Sequence, residues 1–317
     1  MELADIRPFQ ESDYGAYAAF LKCARPEAAL TEVELRHLDR AYATSDVWER
    51  HLLADGGRIV ASVFLSSWPA GERQCRVDLI VHPNAAVHLL SPKLYRFALE
   101  RLKAYRPRAV VTRVREDWAL WRKFYLDHGF HELERMWESR LDVTRFDASR
   151  ARFHLERAEA KGFRFRTLAD FPDEESTSRL SYDTTIELLA DVPTAEPLNI
   201  WPYAVWRERY WNSPNRRPDS YFIALHEDHV AGVSELRPTD EADKLATGLT
   251  GVKRPYRHQG LALALKHNAI VQAKRRGITT ITTQNHSINR AMIAINTHLG
   301  FERGPAWIVL KKALAGD

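Results

Sequence analysis

The stretch GLTGVKRPYRHQGLALALKH, Gly248 to His267, changes its hydrophobic period in the middle. Before Pro255 it reads as a short strand ending at Val252. After Gly260 the apolar Leu261, Leu263, Ala264 and Leu265 fit a buried helix face. A glycine-containing turn therefore delivers a helix N-terminus, where four backbone N–H groups lack intrahelical partners and carry partial positive charge. Such a junction suits a phosphate. Gly260 and Ala262 leave little side chain to hold an anion away from the backbone, and Arg257 and His258 add donors on the approach. The stretch alone also fits an ordinary strand-to-helix connection whose basic residues are solvated, because short motifs match often by chance.

The segment downstream, TTITTQNHSINRAMIAINTHLGFER from Thr279 to Arg303, reads as a strand, then Asn289, a helix and the turn Leu299-Gly300-Phe301. Together the two segments resemble the GNAT superfamily of acetyl-CoA-dependent N-acetyltransferases. Arg257-His258-Gln259-Gly260-Leu261-Ala262 matches that family's Arg/Gln-x-x-Gly-x-Gly/Ala motif, and the second segment follows at family-like spacing. The resemblance implies a mixed sheet splayed at the strand that ends near Val252, with acetyl-CoA as co-substrate in the opening. It implies that Thr250, Gly251 and Val252 bond the pantetheine arm. Backbone groups of His258, Gln259, Gly260, Leu261, Ala262 and Leu263 would hold the pyrophosphate, with Arg257 a further cofactor-binding residue on the approach, and Asn289 would open the helix beside the cofactor.

At 317 residues, 45% hydrophobic and 28% charged, the chain has room for two ordinary globular domains. Its 46 basic and 42 acidic residues leave a net charge of +4, too slight to indicate a nucleic-acid surface. Cys23 and Cys75 form no paired spacing, so neither a disulfide framework nor a thiolate metal site is indicated. His226 and His229 flank a hairpin tip and read as solvated, so no metal is assigned. The opening MELADIRPFQESD has no apolar h-region and no apolar run reaches membrane-spanning length, which makes the cytoplasm the expected location.

The order of elements recurs. Val252 against Val81, Gly300-Phe301 against Gly129-Phe130, and Leu236 against Leu65 are each separated by 171 positions. This indicates an internal duplication, with a domain over 1–145, a charged linker helix over 146–162 and a second domain over 163–317. The fold class expected is α/β with an α+β mixed sheet, as two tandem GNAT (acyl-CoA N-acyltransferase) domains. At this offset Ala86 faces Arg257, Leu89 faces Gly260, Ser91 faces Ala262 and Trp118 faces Asn289. Ser91 reads as the N-cap of a helix with Pro92 in its first position. A leucine at the close-approach position and a proline without N–H unsuit the first copy for a pyrophosphate. The whole chain is similar to tandem members of the family with one degenerate half, the mycothiol synthase-like arrangement among them.

Acetyl transfer to an amine needs a neutral nucleophile, a polarised thioester carbonyl and a proton for the departing thiolate. The family takes the second from backbone N–H near Val252. Glu235, on the strand after a hairpin, is the candidate base; it also fits a solvent-facing residue of a half-exposed strand. Asp191 and Glu196 are further candidates for gripping a cationic substrate. Where many family members carry a tyrosine acid, five residues before the Phe of the Gly-Phe turn, this chain has Asn296, and an amide cannot serve as a general acid. Trp206, Tyr210 and Trp211 read as one helix face, either core or a lid over a substrate. The expected activity is acetylation of a small primary amine, with neither nucleic acid nor membrane as partner, by a monomer or homodimer. A CoA-binding sensor with little turnover and a protein-lysine acetyltransferase are the alternatives.

Overall fold

The computed structural model describes residues 6–68, 73–194, 200–239 and 241–314. Two compact units emerge, Met1–Glu134 with Ile308–Asp317, and Arg135–Trp307. In chain order the first unit holds β1 (Arg7–Pro8), α1 (Tyr14–Ala24), α2 (Glu32–Ala41), β2 (Trp48–Asp55), β3 (Arg58–Ser67), β4 (Gln74–Val81), α3 (Val87–Leu102), β5 (Ala109–Arg115) and α4 (Ala119–Asp127). Strand β6 (His131–Asp142) leads into the second unit. There follow α5 (Ser149–Ala160), β7 (Phe163–Thr167), α6 (Glu175–Leu189), α7 (Tyr203–Trp206), β8 (Tyr221–His226), β9 (His229–Pro238), β10 (Lys244–Val252), α8 (Leu261–Arg275), β11 (Thr280–His286) and α9 (Arg290–His298), before β12 (Glu302–Ala313).

The duplication is visible element by element. Strands β9, β11 and β12 and helix α9 have the bounds of β3, β5, β6 and α4, displaced by 171 positions. The unit boundaries do not follow the division expected at residue 145, because the last strand of each copy changes unit. Met136–Asp142 of β6 pairs antiparallel with β11, and Ile308 and Leu310 of β12 lie in the core of the first unit with Val63, Leu79 and Leu94. The linker helix is observed as α5, closed by Gly162 at φ +86°. It is no mere connection: Ala151 and Ala158 belong to the core of the second unit, beside Ala264 and Leu265 of α8.

In the first unit β2, β3 and β4 form an antiparallel meander, and β4 runs parallel to β5 only from Gln74↔Ala109 to Arg76↔Val111. Helix α3 starts at Val87, before the expected cap at Ser91. The Leu89 and Leu90 amides both bond to Ala86 O, at 3.0 Å, so the helix is already under way, and Pro92 lies inside it while Ser91 is buried. Leu90 is the counterpart of Leu261, so the amide that opens the helix in the second copy is consumed in the first. The expected strand near Leu3 is described only from Arg7 onward, since Leu3 lies outside the described residues.

In the second unit β7, β8, β9 and β10 are antiparallel neighbours, and β10 runs parallel to β11 from Lys244↔Thr280 to Ala246↔Thr282. Beyond Ala246 and Thr282 the two parallel strands part, although β10 continues to Val252 and β11 to His286. Close backbone approach fixes the outer side of this opening: a Cβ on Gly232 would lie 2.7 Å from Gly251 O and 3.2 Å from Val252 Cα. Gly232→Ala is expected to destabilise the fold by about 1–3 kcal/mol, since the obstructing atoms are backbone. Denaturant unfolding with an unchanged m-value checks this.

Candidate active site

The opening between β10 and β11 offers unpaired backbone. The Lys253 amide bonds back to Ala231 O at 2.8 Å. Successive amides in a strand face opposite edges, so those of Val252 and Thr250 face the edge from which β11 has departed. The Val252 carbonyl accepts from Arg257 Nε at 2.9 Å. The chain then makes a single 3-10 turn at Arg254–Tyr256, passes through left-handed conformations at His258 and Gly260, and enters α8 with no side-chain cap and no acidic residue in its first turn. The first amides of α8 are thus left to an anion.

Three details add to the sequence reading of this turn. Gly260 is required by φ +78° and by helix α5, since a Cβ there would lie 2.4 Å from His154 Nδ1. The glycine therefore makes room for a histidine ring, whatever an anion requires. Gln259 accepts a hydrogen bond from Lys161 Nζ at 3.0 Å. Asp191 is not free to grip a cationic substrate, because it bonds Arg254 at 2.6 Å and pairs with Arg257. Glu196 lies outside the described residues.

Those two guanidiniums bring the Asp191 carboxyl down to about 2. A depressed folded-state value means that the pair contributes in full above the ordinary carboxylate range and is lost as pH falls toward 2. Asp191→Asn is accordingly expected to lower the denaturant midpoint near neutral pH, the difference from the native chain vanishing by about pH 2. Added salt reduces it, since Arg254 is 76% exposed.

Deeper in the same unit lies a cavity of about 470 Å³. Its walls include Ile186 and Leu189 of α6, the aromatic rings of Trp201, Trp206, Tyr210 and Tyr221, Thr247 to Thr250 of β10, Thr283 to Asn285 of β11, and Asn289 and Met292 at the start of α9. Trp206 ends α7 and Tyr210 lies in the single π-turn Arg207–Trp211 that follows. Trp206 and Trp211 are buried, in keeping with the core reading, and Trp206 and Tyr210 also line the cavity.

Glu235 lies in the cavity wall and is 7% exposed, which removes the solvent-facing alternative. A bulge places it there. β9 and β10 pair Leu236↔Thr247 and Ser234↔Thr250, so Gly248 and Leu249 together oppose Glu235. A Cβ on Gly248 would lie 2.1 Å from Glu235 Oε2, so only glycine admits the carboxylate. Tyr210 donates to Oε1 at 2.8 Å. Arg237 Nη2 lies 2.8 Å from Oε2 as an ion pair, without the alignment of a hydrogen bond. Burial, then the charge on Glu235, raises the Tyr210 hydroxyl well above its ordinary value. The first copy has no such bulge: β3 and β4 pair without a break from Ala61↔Val81 to Ser67↔Cys75, with Phe64 in place of Glu235.

The expected site residues thus fall into two groups. Glu235, Thr250 and Asn289 share the cavity, whereas Arg257 to Leu263 form the turn and first helical residues outside its wall. Thr250 Oγ1 lies 3.0 Å from Ser234 Oγ, and Asn289 Oδ1 accepts from the Met292 amide as the cap of α9. Asn296 is 2% exposed and outside the wall. Its amide donates to Asn285 Oδ1 at 2.6 Å, so it orients a wall residue. The sequence reading missed Lys266 of α8, 3% exposed, which enters the same wall. The signal was present: Lys266 stands three residues after Leu263 and four before Ile270, at core spacing.

Comparison with known proteins agrees with this geometry. Residues 185–301 match the acetyltransferase (GNAT) family. They form a GNAT acetyltransferase domain. That segment contains the C-terminal end of α6, the bulged strand, the turn, α8, β11 and α9, so the GNAT match encloses every candidate site residue.

Over its whole length the chain has the tandem GNAT fold. It is similar to a tandem GNAT protein from the clavulanic acid biosynthesis pathway, with 17% identity, a TM-score of 0.74 and 99% of each chain covered. It is also similar to a GCN5-related N-acetyltransferase from Sphaerobacter thermophilus, with 19% identity, a TM-score of 0.68, and 98% of this chain and 95% of that one covered. A GNAT-family acetyltransferase from Colwellia psychrerythraea gives 13% identity and a TM-score of 0.63, covering 98% of this chain and all of the other. No curated protein matches. No helix among the described residues is long and apolar enough to cross a membrane, and no group of three or more histidine, cysteine or acidic residues among them is arranged to hold a metal.

Proposed function

We propose that the second unit transfers the acetyl group of acetyl-CoA to the primary amine of a small molecule. The observation that carries this reading is the parting of β10 and β11 beyond Ala246 and Thr282, with bondable amides on one side and a carboxylate-bearing cavity beyond. Thr250 and Val252 would bond the pantetheine arm as an added strand bonds a sheet edge. The open first turn of α8 would receive the pyrophosphate. Acetyl-CoA supplies an activated acyl group; the protein's part is to bind, orient and manage protons.

Glu235 suits the base. It stands beside Arg237, is held by Tyr210 and is shielded from water, so a proton leaving the amine has an acceptor at fixed position. The Val252 N–H faces the opening and polarises a carbonyl placed against it. Ile186, Leu189, Trp201, Trp206 and Tyr221 favour an acceptor with an apolar or aromatic body. The described residues wall the cavity with aromatic rings and one carboxylate, which supports a small molecule over an acidic groove for a protein lysine.

Calorimetric titration with acetyl-CoA is the test, followed by an amine screen that detects released thiol. One site per chain and turnover of small amines are expected. Two sites would give the first copy a cofactor too, binding without turnover would favour a sensor, and no binding would overturn the reading.

A further inference from the structure

Lys266 of α8 enters the wall of the cavity, which Thr250 of β10 and Thr283 of β11 also line. It is 3% exposed, and its ammonium lies 5.2 Å from the centre of the Phe301 ring. Among the described residues it forms no salt bridge and no hydrogen bond. Among the described residues the wall carries one carboxylate, Glu235, and that group is already held by Tyr210 and Arg237. Tyr221 is the further titratable group among the described lining residues; β11 and α9 present Thr283, Gln284, Asn285, Asn289 and Met292. In the first copy the corresponding residue is Tyr95, which packs against Phe124, His128 and Phe130.

A buried cation without a counter-ion is costly and readily gives up its proton. The cost is repaid when an anion forms beside it during reaction. Resting on the acetyl-transfer reading above, we propose that Lys266 is the general acid that protonates the departing CoA sulfur, the role an amide at Asn296 cannot fill. As the amine nitrogen bonds to the acetyl carbon, the C–S bond breaks and its electron pair goes to sulfur. Lys266 Nζ gives its proton to that sulfur, and Glu235 takes the proton lost by the amine. Exchange of one proton with solvent at each residue restores both. Burial, with no opposing charge, pushes the Lys266 ammonium down to about 8, close to the range of a free thiol.

The test needs no acceptor. Free CoA is bound to the native chain and to Lys266→Met and Lys266→Arg, and the bound thiol is titrated through its ultraviolet thiolate absorbance. In the native chain it is expected to ionise one or more pH units below free CoA, giving about tenfold more thiolate near neutrality. Lys266→Met should raise it to the free value or above, while Lys266→Arg should keep it low. Circular dichroism and the CoA dissociation constant establish that each variant is folded and loaded. Equal thiol titration in native and Lys266→Met protein, both loaded, overturns the proposal and leaves the acetyl-transfer reading standing. Failure of the native chain to bind CoA overturns both. A preference for a carboxylate-bearing acyl-CoA that Lys266→Met abolishes, with an unshifted thiol, also overturns it and puts the ammonium at the acyl end.

Discussion

Ala262→Glu is expected to weaken acetyl-CoA binding by on the order of 10²–10³-fold while leaving the fold as stable as before. The residue is partly exposed in the first turn of α8. A carboxylate there interacts favourably with the helix dipole, so an unfolding measurement should show no loss. Toward a pyrophosphate it acts in the opposite sense, since like charges about 4 Å apart at a protein surface repel by about 4 kcal/mol. This substitution separates binding from folding, which Gly260→Glu cannot do, because any side chain at Gly260 meets His154. Leu89→Glu provides the control. It is 61% exposed on a helix whose Leu89 and Leu90 amides are already bonded to Ala86 O, and the charge there should not change affinity. Calorimetry on the three proteins gives the comparison, and equal weakening by Ala262→Glu and Leu89→Glu would remove the assignment of the cofactor to the second unit.

Glu235→Gln should reduce turnover of an amine identified by the screen by about 10²–10⁴-fold with little change in acetyl-CoA affinity. The amide is nearly the same shape and can still accept from Tyr210, so the cavity is preserved while the proton acceptor is lost. Raising the pH should restore part of the rate, because a larger fraction of the amine then arrives already neutral. Tyr210→Phe should cost less, since it removes the hydroxyl that orients the carboxylate and leaves the carboxylate itself. A rate unaffected by Glu235→Gln across the pH range would place the base elsewhere in the cavity.

Much of this fold was legible because its signals are local or repeated. The change of period around Gly260 and the Gly-Phe turns each depend on a few adjacent residues, and the offset of 171 positions tied the elements into two copies. What escaped depends on contacts distant in sequence. The bulge at Gly248 is written in no single residue, for it arises from pairing Glu235 with two residues of β10. Asp191 looked available until Arg254 and Arg257 folded back upon it. Gly260 was required, but by a ring 106 positions away at His154. Asn296 cannot supply a proton as an amide; Lys266 stands at core spacing in α8, but its place in the cavity wall and beside the Phe301 ring depends on contacts distant in sequence.

The exchange of final strands fixes the order in which the chain can mature on the ribosome. Ile308 and Leu310, which fill the core of the first unit, are synthesised only after β7 to β11 of the second unit. The first unit must wait for the second to be translated before its core is complete, although its other strands were made long before. A chain stopped after Trp307 should therefore damage the half that was translated first.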